Sequence, residues 1–366
     1  MSIINVMWSG GLPYASVHKV HQQILSQAAP GACIKTWLLQ DKAAACLKDV
    51  GEVRAWQLSS KVLKGRGIRA LSGFWLRRGF HKALLADDAR VVLIDGVGVA
   101  RVLLPVLRTL PHVRAVVMFH GATRLNDKEI SLFRDFPQEQ LTLCAVSQTL
   151  AASIEADTRL PVVTLRCALD PQAFQSQLLS RELAREQLGI ALDPAQVFGA
   201  VGRLVAGKGF DCLIRAFART LQQAPDRLLV IVGEGPARAE LEARIQSLGL
   251  QGKVLLPGHL THVASLYRAF DWVLIPSQEE GLGLIVQEAV IAHVSVLVSD
   301  LPVFEEQLGE SGRYVPVDDE AAWVQAIEAT AAVSARDVAA RQYAAIAPEQ
   351  AWQRFSHACS VVLSGR

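Results

Sequence analysis

Two glutamates, Glu280 and Glu288, stand with seven residues between them in the run PSQEEGLGLIVQEA at positions 276–289. A short apolar stretch, Trp272–Ile275, reads as a strand before this run, and a helical pattern opens near Leu284. Gly281 and Gly283, with Leu282 between them, permit a tight turn whose amides face outward. The free N–H groups of the first helical turn and the positive end of the helix then make an anion site. A carboxylate beside such a site does not bind the anion. It accepts hydrogen bonds from hydroxyls, which sugars supply in pairs. The spacing therefore suits a phosphorylated sugar compound, with phosphate on the amides, one acid for a sugar and one for a ribose. Taken alone, two such glutamates are more often a solvated helix-end acid and a surface helix acid.

The elements around this run alternate. Ile3–Trp8, Ile34–Leu39, Val91–Ile94, Val113–Met118, Leu141–Val146 and Val162–Leu165 are short, nearly continuous apolar runs, as expected of parallel strands covered on both faces. Helix-period segments such as Ala15–Gln27 and Gln148–Ala156 lie between them. After a polar stretch the pattern restarts with Val197–Val201, Leu228–Val232, Val254–Leu256, Trp272–Ile275 and Val294–Val298. Two such series imply two doubly wound α/β domains. Ligands of these folds bind outside the carboxyl ends of the strands, so the cleft between the domains is the expected site. The tail 321–363 reads as helical, with Asp318, Asp319 and Glu320 at its start as N-terminal carboxylates.

Composition narrows the classes. A chain of 366 residues with 51% hydrophobic and 20% charged residues is neither disordered nor fibrous and is long enough for two cores. The net charge of +2 does not call for nucleic acid. It is split unevenly, +8 through Asp170 and −6 after it. Six cysteines without metal-type spacing point to a reducing compartment, hence the cytoplasm. No signal peptide is expected at the N-terminus, and no apolar run reaches the length of a membrane span. No D-x-D occurs, so no metal site is expected. Gly96 and Gly98 follow a strand, but Arg101 occupies the third glycine position of a dinucleotide fingerprint, so that reading fails.

The set of motifs resembles the GT-B glycosyltransferases, specifically the large retaining family 4. The stretch EGLGLIVQEA at 280–289 is similar to that family's E-x7-E motif, and FDWVLIPS at 270–277 to the strand before it. VGRLVAGKG at 201–209, VIVGEGP at 230–236 and LPG at 256–258 match further family motifs. The first half matches only in patches, at Gly10-Gly11, His120-Gly121 and Ser147. The resemblance implies a GT-B fold of two Rossmann-like domains with a C-terminal helix crossing back. It gives an acceptor-binding domain at 1–170, a nucleotide-sugar-binding domain at 171–345, and the returning helix at 346–366. It further implies Glu280, Arg203, Lys208 and His120 as catalytic residues. Gly10, Gly11, Gly202, Gly281, Leu282, Gly283, Leu284 and Glu288 would bind the donor. No cofactor or metal is implied beyond the nucleotide-diphosphate sugar itself. Two fixed cations and helix-end amides can replace a metal at a diphosphate leaving group. Alone, Arg203 would read as a surface charge, Gly10-Gly11 as a strand–helix turn, and His120 as structural.

The sequence departs from the family at the domain junction, where Cys167-Ala168-Leu169-Asp170 stands, and at Ala292–Val296, which lacks the usual glycine and proline. Two other classes compete. One is a sugar-nucleotide epimerase on the same fold, for which the E-x7-E loop is not the pattern. The other is a non-catalytic nucleotide-sugar-binding protein, which would not need both Glu280 and Arg203. A phosphorylase of this fold would require a pyridoxal-phosphate lysine and a far longer chain.

Between Lys61 and Lys82 lie seven basic residues and no acid, with Phe74, Trp75, Leu76 and Phe80 among them. Gly65, Gly67, Gly73 and Gly79 argue against a long regular helix there. The composition suits an anionic lipid surface or an anionic glycolipid acceptor; the alternatives are an ordinary solvated helix with a buried apolar face and a basic loop for a phosphorylated acceptor. The expectation is therefore a hexosyl transfer, from a UDP-sugar by preference, to a lipopolysaccharide-core or other surface-glycan acceptor, with contact at the inner face of the membrane.

Overall fold

The computed structural model describes residues 1–9, 15–40, 51–59, 70–190 and 196–365. Gly10 and Gly11, and Lys61, Lys64, Arg66 and Arg69 of the basic segment, lie outside these residues. The chain divides into two compact units: Met1–Cys167 with Gln353–Arg366, and Ala168–Trp352.

The first unit is built on a parallel sheet of β1 (Ser2–Met7), β2 (Cys33–Leu38), β3 (Glu52–Ala55), β4 (Ala89–Asp95), β5 (Arg114–Phe119), β6 (Leu141–Ala145) and β7 (Val162–Thr164). Their order is β3-β2-β1-β4-β5-β6-β7, and every pairing is parallel. β1, β4 and β5 are almost wholly buried, which explains their unbroken apolar runs. β3 was not foreseen. Its sequence EVRA is half charged and mostly exposed, so an edge position, not an apolar run, makes it a strand.

The second unit holds β8 (Gln196–Val201), β9 (Arg227–Val232), β10 (Val254–Gly258), β11 (Trp272–Ile275), β12 (Ser295–Ser299) and β13 (Tyr314–Val315). The order is β10-β9-β8-β11-β12-β13, again parallel throughout. Two apolar clusters cover the two faces of this sheet. Val230, Val273 and Val296 point to one, and Leu229, Ile231, Trp272 and Leu274 to the other. In each sheet the order reverses direction once, at β1/β4 and at β8/β11. These are the topological switch points where doubly wound folds take ligands.

Two sequence expectations need correction. A helix does span Ala70–Ala86, through Gly73 and Gly79. Each glycine costs about 1 kcal/mol in a helix, and burial of Phe80, Ala83 and Leu84 offsets this. Phe80 stacks on Trp37 and packs against Trp56. The tail is helical, as expected, in three helices, Glu320–Ala329, Ala335–Ile346 and Pro348–Ser364, and Ala347 takes a left-handed conformation before the last. That last helix begins in the second unit and belongs to the first only from Gln353 onward, so residues 346–352 are not part of the returning segment. Asp319 caps the first tail helix by accepting from the Ala322 amide, as its position suggested.

At the junction, Asp170 caps a short helix at Pro171–Gln175 and Phe174 enters the second core beside Tyr267. Among the described residues no helix is long and apolar enough to cross a membrane.

Candidate active site

The second unit gathers three loops at the carboxyl ends of β8, β9 and β11. The first runs through Gly202, Arg203 and Lys208. The second runs through Gly233–Ala237, and the third is Pro276–Gly283. Close backbone approach holds them together, and glycine permits it. A Cβ on Gly233 would lie 1.8 Å from the Gly202 carbonyl oxygen, and one on Gly235 would lie 2.2 Å from that of Leu204. Gly209 has φ +68°, and a Cβ there would sit 2.0 Å from the Pro276 carbonyl oxygen. The Gln278 amide donates to the Gly207 carbonyl at 2.9 Å, and the Leu204 amide to that of Glu234 at 2.9 Å. The glycines of these motifs thus serve loop-to-loop contact.

Lys208 and Glu280, which the sequence placed on two different loops, form an ion pair through Nζ and Oε1. Ser277 Oγ donates to the same Glu280 oxygen at 2.9 Å. Gly202 lies beside them, since a Cβ there would be 3.9 Å from Lys208 Cδ. Arg203 is exposed and makes no ion pair among the described residues. Gly283, at φ +75°, begins the helix Leu284–Ile291, and a Cβ on it would meet Phe304 Cε1 at 2.5 Å. Leu282 is buried, and its carbonyl accepts from Gln307 Nε2. Glu288 is not a surface acid. It is buried and accepts from the Tyr267 hydroxyl at 2.6 Å. Burial, then Glu288, raises the Tyr267 pKa well above its ordinary value.

The missing glycine after this helix has a structural answer. His293 adopts the left-handed conformation, φ +61°, and its ring stacks on Tyr343 at 4.9 Å. The Val294 amide returns to the Ala289 carbonyl at 2.9 Å, so the helix still closes in a left-handed cap.

In the first unit, His120 follows β5 and faces the switch point. Its Nε2 lies 3.0 Å from His21 Nε2 and 3.7 Å from Asp95 Oδ1. Asn5 Oδ1 accepts from His21 Nδ1 at 2.6 Å, while Asn5 Nδ2 donates to Thr36 Oγ1 at 3.2 Å. The Trp8 amide donates to Asp95 Oδ2 at 3.1 Å. Burial pushes the His120 imidazole down to about 3. His21 is held well below its ordinary value by burial, then by the facing His120 and by His18. Burial pushes Asp95 up to about 6, against the Trp8 hydrogen bond. Sequence reasoning found His120 but missed His21, Asp95 and Asn5. It likewise missed Tyr267 and Ser277. Only the position of Asp95 at a strand's carboxyl end offered a signal.

Two parallel doubly wound sheets define a fold of the GT-B type, and the second switch point carries a glycine-loop site with paired charges. Residues 180–345, under half of the chain, match the family described as Glycosyl transferases group 1. The chain is 30% identical over 233 residues to a lipopolysaccharide core biosynthesis mannosyltransferase, LpsB, of Rhizobium meliloti, covering 61% of this chain and 64% of that one. It is 37% identical over 158 residues to a D-inositol 3-phosphate glycosyltransferase of Corynebacterium diphtheriae, over 40% of this chain and 36% of that one. The match thus spans under two thirds of the length of these relatives. Among solved structures, Anabaena HepE in complex with UDP and glucose superposes with a TM-score of 0.79 at 19% identity, over 100% of this chain and 98% of that one. A glycosyltransferase from Rickettsia africae gives 0.77 at 14%, over 99% and 95%.

Proposed function

We propose that the protein is a retaining glycosyltransferase that moves a hexosyl group from a nucleotide-diphosphate sugar, by preference a UDP-sugar, to a lipopolysaccharide-core or related surface-glycan acceptor. The observation that carries this reading is the Lys208–Glu280 pair held against the glycine turn and helix start at Gly281–Leu284. Arg203 and Lys208 hold the diphosphate, aided by the amides after Gly281 and by the close backbone at Gly202. Leu282 fixes the turn from beneath. Glu280 takes hydroxyls of the donor sugar, and Glu288 takes the ribose, oriented by Tyr267. Gly10, Gly11 and His120, carried by the first unit, keep the donor-side roles that the family resemblance gives them.

In the transfer, the bond from the anomeric carbon to the leaving phosphate oxygen breaks. A bond from the acceptor oxygen to the same face of that carbon forms. The acceptor's hydroxyl proton passes to the departing phosphate, so no separate base is required. Charge building on the diphosphate is met by the fixed cations and amides, and added Mg²⁺ or Mn²⁺ is expected to leave turnover unchanged. The UDP preference is supported by the UDP complexes of the structural neighbour, and the acceptor class by the name of the LpsB relative.

The helix Ala70–Ala86 supports a membrane-side acceptor. Phe74 and Trp75 are 60% and 67% exposed, and Arg77, Arg78 and Lys82 are exposed beside them. We assign this face to an anionic lipid or glycolipid surface at the inner side of the membrane, with the protein acting from the cytoplasm.

The experiment is a thermal-shift panel of nucleoside diphosphates, followed by nucleotide release from UDP-sugars with and without lipopolysaccharide-core acceptor. UDP is expected to stabilise most, and release is expected to require acceptor, with the anomeric configuration retained by NMR coupling. An inverted product, or no stabilisation by any nucleotide, overturns the reading.

A further inference from the structure

We propose that the first unit carries a divalent-metal site, made by His21, Asp95 and His120 and suited to Zn²⁺. The three side chains come from different elements: the helix Ala15–Leu25, the end of β4, and the residue after β5. One ligand atom from each lies within 4.8 Å of the other two. The measured separations are 3.0 Å between the histidine Nε2 atoms and 3.7 Å from His120 Nε2 to Asp95 Oδ1. Ligands at about 2.0–2.2 Å around a tetrahedral zinc stand about 3.3–3.5 Å apart. The two pairs that include His120 need shifts of a few tenths of an ångström, and the His21–Asp95 pair, which lies within 4.8 Å, closes with a shift of at most about 1.5 Å.

Hydrogen bonding alone does not satisfy these atoms. Asn5 is oriented by Thr36, so its oxygen takes the His21 Nδ1 proton and leaves a lone pair on His21 Nε2. Asp95 Oδ1 makes no hydrogen bond among the described residues. A single proton on His120 Nε2 can serve His21 or Asp95 but not both. One divalent ion serves all three and neutralises a buried carboxylate that has no Lys or Arg against it among the described residues.

The surrounding contacts are those that orient ligands. His21 donates its far nitrogen to Asn5, and Asp95 accepts the Trp8 amide on its far oxygen. Two imidazoles and one carboxylate suit zinc better than Mg²⁺ or Ca²⁺, which prefer oxygen. The side chains of His120 and Asp95 are 13% and 12% exposed, which leaves an approach and a fourth position for water. The ion would pin the helix after β1 to the carboxyl ends of β4 and β5. It leaves His120 Nδ1, which has no partner among the described residues, outside the coordination.

The test uses full-length, metal-stripped protein. Zn²⁺ affinity is read by competition with a chromogenic chelator, and geometry by the visible bands of bound Co²⁺. One equivalent per chain, tetrahedral Co²⁺ bands and a Zn²⁺-dependent rise in Tm are expected. His21→Gln and Asp95→Asn are each expected to weaken binding more than tenfold. His18→Gln, whose imidazole contacts the Ser9 carbonyl instead, is expected to keep it. Binding well below one equivalent, octahedral Co²⁺ bands, or equal binding by wild type and His21→Gln overturns the proposal. If one variant does not fold, the wild-type stoichiometry and spectrum still decide. None of these readouts depends on glycosyl transfer.

Discussion

The ammonium of Lys208 rests against the carboxylate of Glu280, joining the loop after β8 to the loop after β11. The two residues assigned to the diphosphate and to the sugar are therefore one electrostatic unit. Lys208→Ala is expected to lower kcat on the order of 10²–10³-fold, the effect of losing about 2.7–4 kcal/mol of transition-state stabilisation. Glu280→Gln is expected to fall similarly, and the double variant by less than the product of the two. Nucleotide release under saturating donor measures this. Additive losses would show that the pair does not act together.

Tyr267 and Glu288 form a buried pair, hydroxyl to carboxylate, at 2.6 Å. Removing a hydrogen bond to a charged group costs about 1.5–3 kcal/mol. Tyr267→Phe is thus expected to lower the urea midpoint and to raise donor KM more than it lowers kcat. The tyrosine also sets an alkaline limit. Its folded pKa lies above the unfolded value of about 10, so the folded state binds more protons above that pH. Stability from this group is fully present below about pH 10 and falls as pH rises further. Denaturation between pH 9 and about 11 is expected to show a shallower slope in Tyr267→Phe than in wild type, the remainder coming from Tyr314, Tyr343 and the buried Cys144, Cys167 and Cys359, whose pKa values burial also raises.

Glycines separate by role. Gly283→Ala forces a side chain at φ +75° and against Phe304, and Gly209→Ala does so at φ +68° and against the Pro276 carbonyl. Each is expected to cost more than the roughly 1–3 kcal/mol of backbone strain alone. Gly207→Ala meets nothing within 4 Å and is expected to be neutral to within about 0.5 kcal/mol. Chemical denaturation of the three variants checks the ranking, and a destabilised Gly207→Ala would contradict it.

In the proposed membrane contact, the exposed Phe74 and Trp75 would supply apolar affinity and Arg77, Arg78 and Lys82 the electrostatic part. Each basic residue near an anionic membrane contributes about 1 kcal/mol. Arg77→Glu/Arg78→Glu is expected to abolish co-sedimentation with phosphatidylserine-containing vesicles at low salt, and Trp75→Ser to weaken it. Wild type that ignores anionic vesicles, or a double variant that binds equally, rules out this face.

Much of the second unit was legible in the sequence because its chemistry is local. The strand, the glycine turn, the helix and both glutamates fall within Trp272–Ala289, so spacing alone carries the expectation of an anion site. The apolar runs of β1, β4, β5, β8, β9 and β11 likewise declared a parallel, doubly covered sheet. Edge strands escaped because pairing, not hydrophobicity, makes β3 a strand. The helix at Ala70–Ala86 escaped because its glycine cost is offset by Phe80 packing on Trp37 and Trp56, partners distant in sequence.

What only the tertiary structure decided is who faces whom. The pairing of Lys208 with Glu280 spans 72 residues, and His120 faces His21 across 99. No local periodicity encodes such distances; strand order does, by bringing the ends of β1, β4 and β5, and of β8 and β11, side by side. The same cause turned Glu288 inward, because the core places Tyr267 against it. The sequence determined the kinds of group available to each switch point. The order of the strands determined which of those groups meet.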